Sequence, residues 1–462
     1  MPDSKQSPEQ SEVALLDLAT VSELVRTRKL SPVEVTQACL ARIEALNPEL
    51  NAFITVTAEM ALAQARAAEA EIQRGEWRGP LHGIPLALKD LIDVAGVPTT
   101  AASAVFEHRI AAEDAEVVRR LKRAGAVIVG KNNLHECAYG GSGLISRYGP
   151  AKNPRYPGRT TGGSSSGSAA AVAAGLCYGA IVSDTAGSIR LPAALCGVVG
   201  FKPTYGLVSA RGVMPLSWSL DHIGPMARSV TDVALILAAI AGYDPADPTS
   251  REIPLTDYAA AVRAPAAKLR VGVPRKGFYE DLDSEVALVV EDALRVVAGL
   301  AVEMREVSVP VDNDRTVAKA ETYAYHFPYL AEHAQQYDPE TLRRINAGAD
   351  VSVRDYVSKL HELELLRRGA AEIFKDVDVI VTPTSPVPSP LVAELQADPS
   401  RLREHELVML RNTRPFNVLG LPAISVPCAE TSAGLPVGLQ IAGPAGKDAQ
   451  VLAFARAFER AR

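Results

Sequence analysis

Hydrophobic positions along this chain follow two rhythms in turn, and the switches between them mark its elements. Near the N-terminus the apolar residues recur three and four apart, which predicts helices. Thr20 with Glu23 three on reads as a capping box, and Ser31-Pro32-Val33-Glu34 as a second with proline at the first helical position. The Ala/Glu-rich segment 58–74 predicts a third helix. At 75–79 the pattern changes, and LHGIPLALKDLIDVAGVPTT (81–100) predicts a strand near 84–88 running into a loop. DAEVVRRLKRAGA followed by AVIVGK reads as a helix–strand unit with Gly125 closing the helix. A helix is expected over 229–242, capped by Ser229 with Asp232 three on. A buried strand follows at 268–274 and a helix at 283–300. Residues 315–375 read as polar-rich helices, a cap or insert over the core. DVIVTPT (378–384), AISVPC (423–428) and GLQIAG (438–443) predict the last strands before a closing helix.

Strands that alternate with helices over the whole length predict an α/β fold, a sheet covered by helices on both faces. No low-complexity linker divides the chain and no repeat of 20–50 residues is present, so one domain over 1–462 is expected. Within it the reading gives a disordered tail at 1–11, N-terminal helices at 12–75, a catalytic core at 76–310, the helical insert at 311–376, and closing strands and helix at 377–462. YDPADPTSREIP (243–254) reads as a surface connection.

Composition narrows the function classes. With 47% hydrophobic and 22% charged residues in 462, the chain can bury a large core. Acids and bases intersperse to a net charge of −6, with no Lys/Arg cluster, so neither nucleic acid nor a membrane surface is expected as a partner. The five cysteines (39, 137, 177, 196, 428) lie apart with no CxxC pair, which predicts reduced buried thiols rather than disulfides or a metal site. MPDSKQSPEQSE lacks the apolar stretch of a signal peptide, and the apolar run 167–182 is too broken by Gly, Ser and Tyr to span a bilayer. A cytoplasmic protein is expected.

One stretch stands apart from this background: TTGGSSSGSAAAVAAGLCYGAIVSDTAGSIRLPAALCG, residues 160–197. A flexible linker would be flanked by polar sequence, whereas a helix-forming AAAVAAGL follows. A phosphate-binding P-loop needs a lysine after its last glycine, and a dinucleotide fingerprint needs GxGxxG; GGSSSG has neither. A nucleophile site fits better. Gly162 and Gly163 permit a sharp turn that sets Ser164 at a helix N-terminus, and DTAGSIRLP repeats the device at Ser188. The backbone N–H groups of Thr185, Ala186, Gly187 and Ser188 are placed to face one oxyanion. Each serine needs a base. Asp221-His222 offers a Ser-His-Asp arrangement, but adjacent residues point apart and no GxSxG elbow is present. Lys89, at the end of the apolar run IPLAL, would be carried to the sheet edge and desolvated into a neutral base. From spacing alone the better reading is a surface lysine that ends a strand.

GGSSSGSAAAVAAG followed by DTAGSIRLPAALCGVVGFKPTYG resembles the amidase signature family. GIPLALKDLIDVAGVPTT, LHECAYGGSGLISRYGPAKNP and GLPAISVPC with GLPVGLQIAGP match its other blocks, so the resemblance spans most of 12–460. It implies a single α/β/α domain around a large mixed, mostly parallel sheet. It also implies a Ser–cis-Ser–Lys triad: Ser188 as acyl nucleophile, Ser164 as bridging serine and Lys89 as base, with no metal or organic cofactor. Asp184, Arg190 and Ser165 are then expected to support the nucleophile turn. Cys137, Ala138, Tyr139, Gly140 and Gly141 match a loop that lines the acyl pocket, and Trp218 is a further wall candidate. Cys137 is also the one alternative nucleophile. Two residues depart from the family pattern. Ala186 replaces a second glycine, which would strain the turn by about 1 kcal/mol if φ is positive there, and Ser166 replaces a common glycine.

The resemblance leaves the amide open. A glutamine-dependent amidotransferase of this family would work as one part of a heteromeric complex, and Lys447 falls near where such proteins carry an acid for the glutamine amino group. The reading that follows is a free-standing amidase, monomer or homodimer, with an open apolar pocket for aryl or aliphatic amides, anilides or carbamates (urethanes).

Overall fold

The structure, a computed structural model, describes residues 12–265 and 268–462; the tail expected at 1–11 lies outside the described residues. Eleven strands form one sheet: β1 (Phe53–Val56), β2 (Pro85–Lys89), β3 (Val127–Asn132), β4 (Gly179–Asp184), β5 (Val199–Lys202), β6 (His222–Ala227), β7 (Arg270–Val273), β8 (Glu303–Glu306), β9 (Val379–Pro383), β10 (Ala423–Glu430) and β11 (Pro436–Ala442). Their order across the sheet is β1-β3-β2-β4-β6-β5-β10-β11-β9-β7-β8. The expectation of a mostly parallel sheet is corrected. β3, β2 and β4 run parallel, as do β9, β7 and β8, but every pairing from β4 through β6, β5, β10 and β11 to β9 is antiparallel. β10 and β11 form a hairpin over residues 431–435, and a short turn can join only antiparallel neighbours.

Side chains of the central strands alternate between two apolar layers. Leu86, Leu88 and Ile181 belong to one core, with Val233 and Ile236 of the helix Val230–Ile240. Ala87, Ala180 and Val182 belong to the other, with Ala169–Val172 of the helix Ser166–Ala173 and Ala193 of the helix Arg190–Cys196. The period-2 split is what covers both faces with helices. Burying each leucine or isoleucine contributes about 1.5–3 kcal/mol. The second layer is rich in alanine where the strands meet these two helices, and these are the helices that open at the two serines.

Helix starts follow the caps with one exception. Ser31 and Glu34 form the full capping box with Pro32 at the first position, and the Ser229 side chain accepts from Asp232 N. Gly125 follows the helix Glu116–Arg123 at φ +78°. The first helix, Leu18–Arg26, is capped by Asp17, which accepts from Thr20 N at 2.6 Å; the box expected at Thr20 is displaced because the carboxylate three residues earlier takes that N–H. Residues 316–369 are helical, in Thr316–His333, Pro339–Asn346 and Val353–Gly369. Among the described residues no helix is long and apolar enough to cross a membrane.

Candidate active site

β2 and β4 are parallel neighbours, so the ends of both strands reach one edge of the sheet. β2 ends at Lys89 and β4 at Asp184. The turn after β4 carries Ser188, and the turn before the Ala-rich helix carries Ser164. Lys89 is fully buried; its Nζ donates to Ser164 Oγ at 2.7 Å and to Ser183 Oγ at 2.9 Å. The Gly163–Ser164 peptide is cis. Burial pushes the Lys89 ammonium down to about 7, against the pull of the Asp221 and Asp184 carboxylates. No hydrogen bond joins Ser188 Oγ to Ser164 among the described residues. Ser188 instead opens onto a cavity, where Ala138, Tyr139, Gly140, Thr185 and Ala186 stand beside it.

The nucleophile turn hangs on one buried ion pair. Arg190 Nε and Nη2 donate to the two Asp184 oxygens at 3.0 Å each, and the same guanidinium reaches Thr413 O, Gln440 Oε1 and Asn417 Oδ1 at 2.6–2.8 Å. Asp184 in turn accepts from Gly187 N at 2.7 Å and Ile189 N at 3.1 Å. Burial alone would raise its carboxyl, but the Arg190 charge and hydrogen bonds outweigh it and hold Asp184 far below the usual carboxylate range. The Thr413 hydroxyl fixes the turn from above by donating to Ala186 O at 2.7 Å. Thr185 Oγ1 donates to Asp221 Oδ1 at 2.5 Å. Asp221, pushed up to about 6 by burial, is therefore tied to the turn and not to His222.

These contacts revise the oxyanion reading. The Gly187 N–H is donated to Asp184; the N–H groups of Thr185, Ala186 and Ser188 make no hydrogen bond among the described residues. Ala186 is not at positive φ, so the strain expected there does not arise. The left-handed residue is Gly187, at φ +139°, where a Cβ would collide with Thr413 Oγ1 and sit 2.8 Å from Leu410 Cδ2. Gly187→Ala is expected to displace the turn, lower kcat on the order of 10^2-fold, and lower Tm. Steady-state kinetics beside a thermal melt would check it.

Other expectations part company with the structure. Cys137 and Gly141 flank the pocket loop without facing the cavity, and burial with the neighbouring Glu136 charge holds the Cys137 thiol well above its usual range, which disarms it as a nucleophile. Trp218 is 43% exposed, packs edge-on to Tyr325, and lines a different cavity with Asp221 and Arg211. His222 sits on β6, where its Nδ1 faces Leu220 O at 2.7 Å; burial and the Lys202 charge keep its ring neutral, and it contacts neither serine. The Ser-His-Asp arrangement is thus not assembled. Ser165 Oγ bonds weakly to Ser183 O at 3.4 Å, and Ser166 Oγ is buried without a partner. Lys447 is exposed at the start of the last helix and outside the cavity, so it bears no relation to a glutamine amino group.

The expected apolar pocket is corrected in part, because charge stands among a mostly apolar lining. The cavity holds about 520 Å3 of empty space, counting its mouth, and beside Leu216, Leu220 and Leu410 it is lined by Arg315, Arg403 and Arg414. They come from three separate segments, and no sequence pattern joins them.

Comparison with known proteins places this architecture. Residues 34–452 match the Amidase family. The chain is 41% identical to the A subunit of the Glutamyl-tRNA(Gln) amidotransferase of Moorella thermoacetica over 97% of each chain. Among solved structures it resembles 6-aminohexanoate cyclic dimer hydrolase in complex with substrate (TM-score 0.87, 30% identity, 97% of each chain). It also resembles the peptide amidase PAM in complex with the competitive inhibitor chymostatin (TM-score 0.84, 33% identity, 97% of this chain and 98% of that one).

Proposed function

The chain belongs to the amidase family of C–N-cleaving enzymes, and on that premise we propose that it hydrolyses carboxylic amides through an acyl-enzyme on Ser188. The observation that carries this reading is the sealed contact between Lys89 and Ser164. A neutral Lys89 keeps two hydrogens, one of them for Ser183, and turns its lone pair to Ser164. Ser164 passes its own hydroxyl proton to that lone pair and takes the Ser188 proton as Ser188 Oγ attacks the amide carbon. The N–H groups of Ala186 and Ser188 receive the developing oxyanion. Lys89 returns its proton through Ser164 to the leaving nitrogen, the C–N bond breaks, and water repeats the attack on the ester. The dry, preset environment of Lys89 is what makes an amine a usable base near neutral pH.

A second reading has a specific observation behind it. The relatives named for the Glutamyl-tRNA(Gln) amidotransferase, matched end to end at about two-fifths identity, favour a component of a glutamine-dependent complex over a free-standing amidase. The cavity speaks for the free-standing enzyme: glutamine brings an ammonium group, and no acid is among the residues that line the cavity. Purified protein assayed against glutamine, an aliphatic amide, an anilide and an aryl carbamate, with gel filtration alongside, separates the two. Turnover by the single chain supports the free-standing reading. Silence on everything except glutamine, or activity only with added partners, supports the heteromeric complex.

A further inference from the structure

Arg315, Arg403 and Arg414 face the cavity that Ser188 opens onto, and charges of one sign do not gather in a confined space without a purpose or a counter-charge. Nearby acids are engaged elsewhere. Glu406, fully buried, takes Arg344 at 2.8 Å, Ser142 at 2.7 Å and Arg403 at 3.2 Å, so Arg403 shares its carboxylate with a second arginine. Arg414 is anchored through the backbone carbonyls of Asp312 and Asp314, whose side chains line the adjoining cavity instead. Arg315 has no carboxylate within salt-bridge distance among the described residues. Burial lowers its guanidinium to about 9, the Arg414 and Arg403 charges add to the shift, and the Asp312 carboxylate offsets only part of it.

We propose that this wall is a carboxylate site, and that the preferred substrates are amides bearing an anionic carboxylate at the end of the acyl chain, the monoamides of dicarboxylic acids. This rests on the Ser188 amidase reading and adds the substrate class to it. Guanidinium forks match a carboxylate in two-point geometry. Leu216, Leu220 and Leu410 would line the methylenes between the anion and the scissile carbonyl. The wall also discriminates: glutaramate and glutamine present the same amide and carboxylate, but glutamine adds an ammonium among three arginines with no acid to receive it.

The test compares succinamate and glutaramate with butyramide and valeramide, their neutral counterparts, and with glutamine, by ammonia release. kcat/KM for the better anionic amide is expected to exceed that of its neutral counterpart by about 10- to 100-fold, and glutaramate to exceed glutamine. Arg315→Met with Arg414→Met should bring the anionic-to-neutral ratio close to one. A wild-type ratio near one, or a preference for glutamine over glutaramate, overturns the carboxylate site while leaving the amidase reading intact. Should no amide turn over, calorimetry on Ser188→Ala still decides. Glutaramate bound at least tenfold tighter than valeramide upholds the site, and equal binding overturns it, whichever way the amidase reading falls.

Discussion

Ser188→Ala is expected to remove amide turnover almost entirely, lowering kcat on the order of 10^4- to 10^6-fold, with little change in fold. The size follows from the role. On the proposed mechanism Ser188 supplies the oxygen that becomes acylated, and no neighbour can take its place: the Cys137 thiol is held protonated by burial, and the buried hydroxyls of Ser165 and Ser166 do not line the cavity. The structural cost is small, because Ser188 Oγ makes no hydrogen bond that the fold would miss. The measurement is ammonia release under single-turnover conditions, beside mass spectrometry of protein treated with a fluorophosphonate. Wild type should gain one adduct at Ser188 and the variant none. Residual turnover within tenfold of wild type would sink the acyl-enzyme.

Much of this site was legible because each catalytic candidate ends or begins an element, and element ends carry turn chemistry that a sequence displays. Lys89 closes an apolar strand, and Ser164 and Ser188 each follow a glycine turn ahead of a helix. The residues that hold them were not legible. Arg190 is fixed by Asn417 and Gln440, more than 200 positions away, and the arginine wall is gathered from three segments without periodicity. Strands failed in a similar way. β4 follows its helix within one apolar run, where period alone cannot separate a buried strand from a buried helix. β6, HIGPMA, contains Gly and Pro, residues that argue against a central strand, yet Pro225 pairs with Ile181 in the middle of the sheet. β8, EMRE, is a charged edge strand with no alternation to detect. The parallel bias followed from helix–strand alternation, which says nothing of how a hairpin such as β10–β11 reverses direction.

Charge in the interior explains why the pieces are arranged as they are. Asp184, Arg190, Lys202 and Lys89 are all buried, and Asp221, half-buried, accepts from Thr185 of the turn that carries Ser188. The Asp184–Arg190 pair stays ionised because every oxygen and nearly every guanidinium hydrogen has a partner, the condition under which a buried pair is tolerated. Lys89 has no such partner: among the described residues it hydrogen-bonds two hydroxyls, and the Asp221 and Asp184 charges offset only part of the desolvation of its charged form. One ion pair therefore locks geometry, and one unpaired amine is left free to change charge.

That difference fixes the second large effect. Lys89→Met keeps the length of the side chain and removes the base, and kcat is expected to fall on the order of 10^3-fold, with Ser188 still present but without a route for its proton. The wild-type pH profile carries the sharper test. Lys89 is active as the neutral amine, so kcat/KM should be low below pH 7, rise through about pH 7 as the ammonium loses its proton, and level off above. The nearest lever on this limb is Asp221, whose negative charge favours the protonated lysine. Asp221→Asn removes that charge and should move the rise to lower pH, provided Thr185 keeps its hydrogen bond to the amide oxygen. A base assigned to His222 predicts otherwise: His222→Gln would abolish the limb and Lys89→Met would leave it in place. A limb that survives Lys89→Met unchanged would remove the lysine from the mechanism, whatever the Ser188 result.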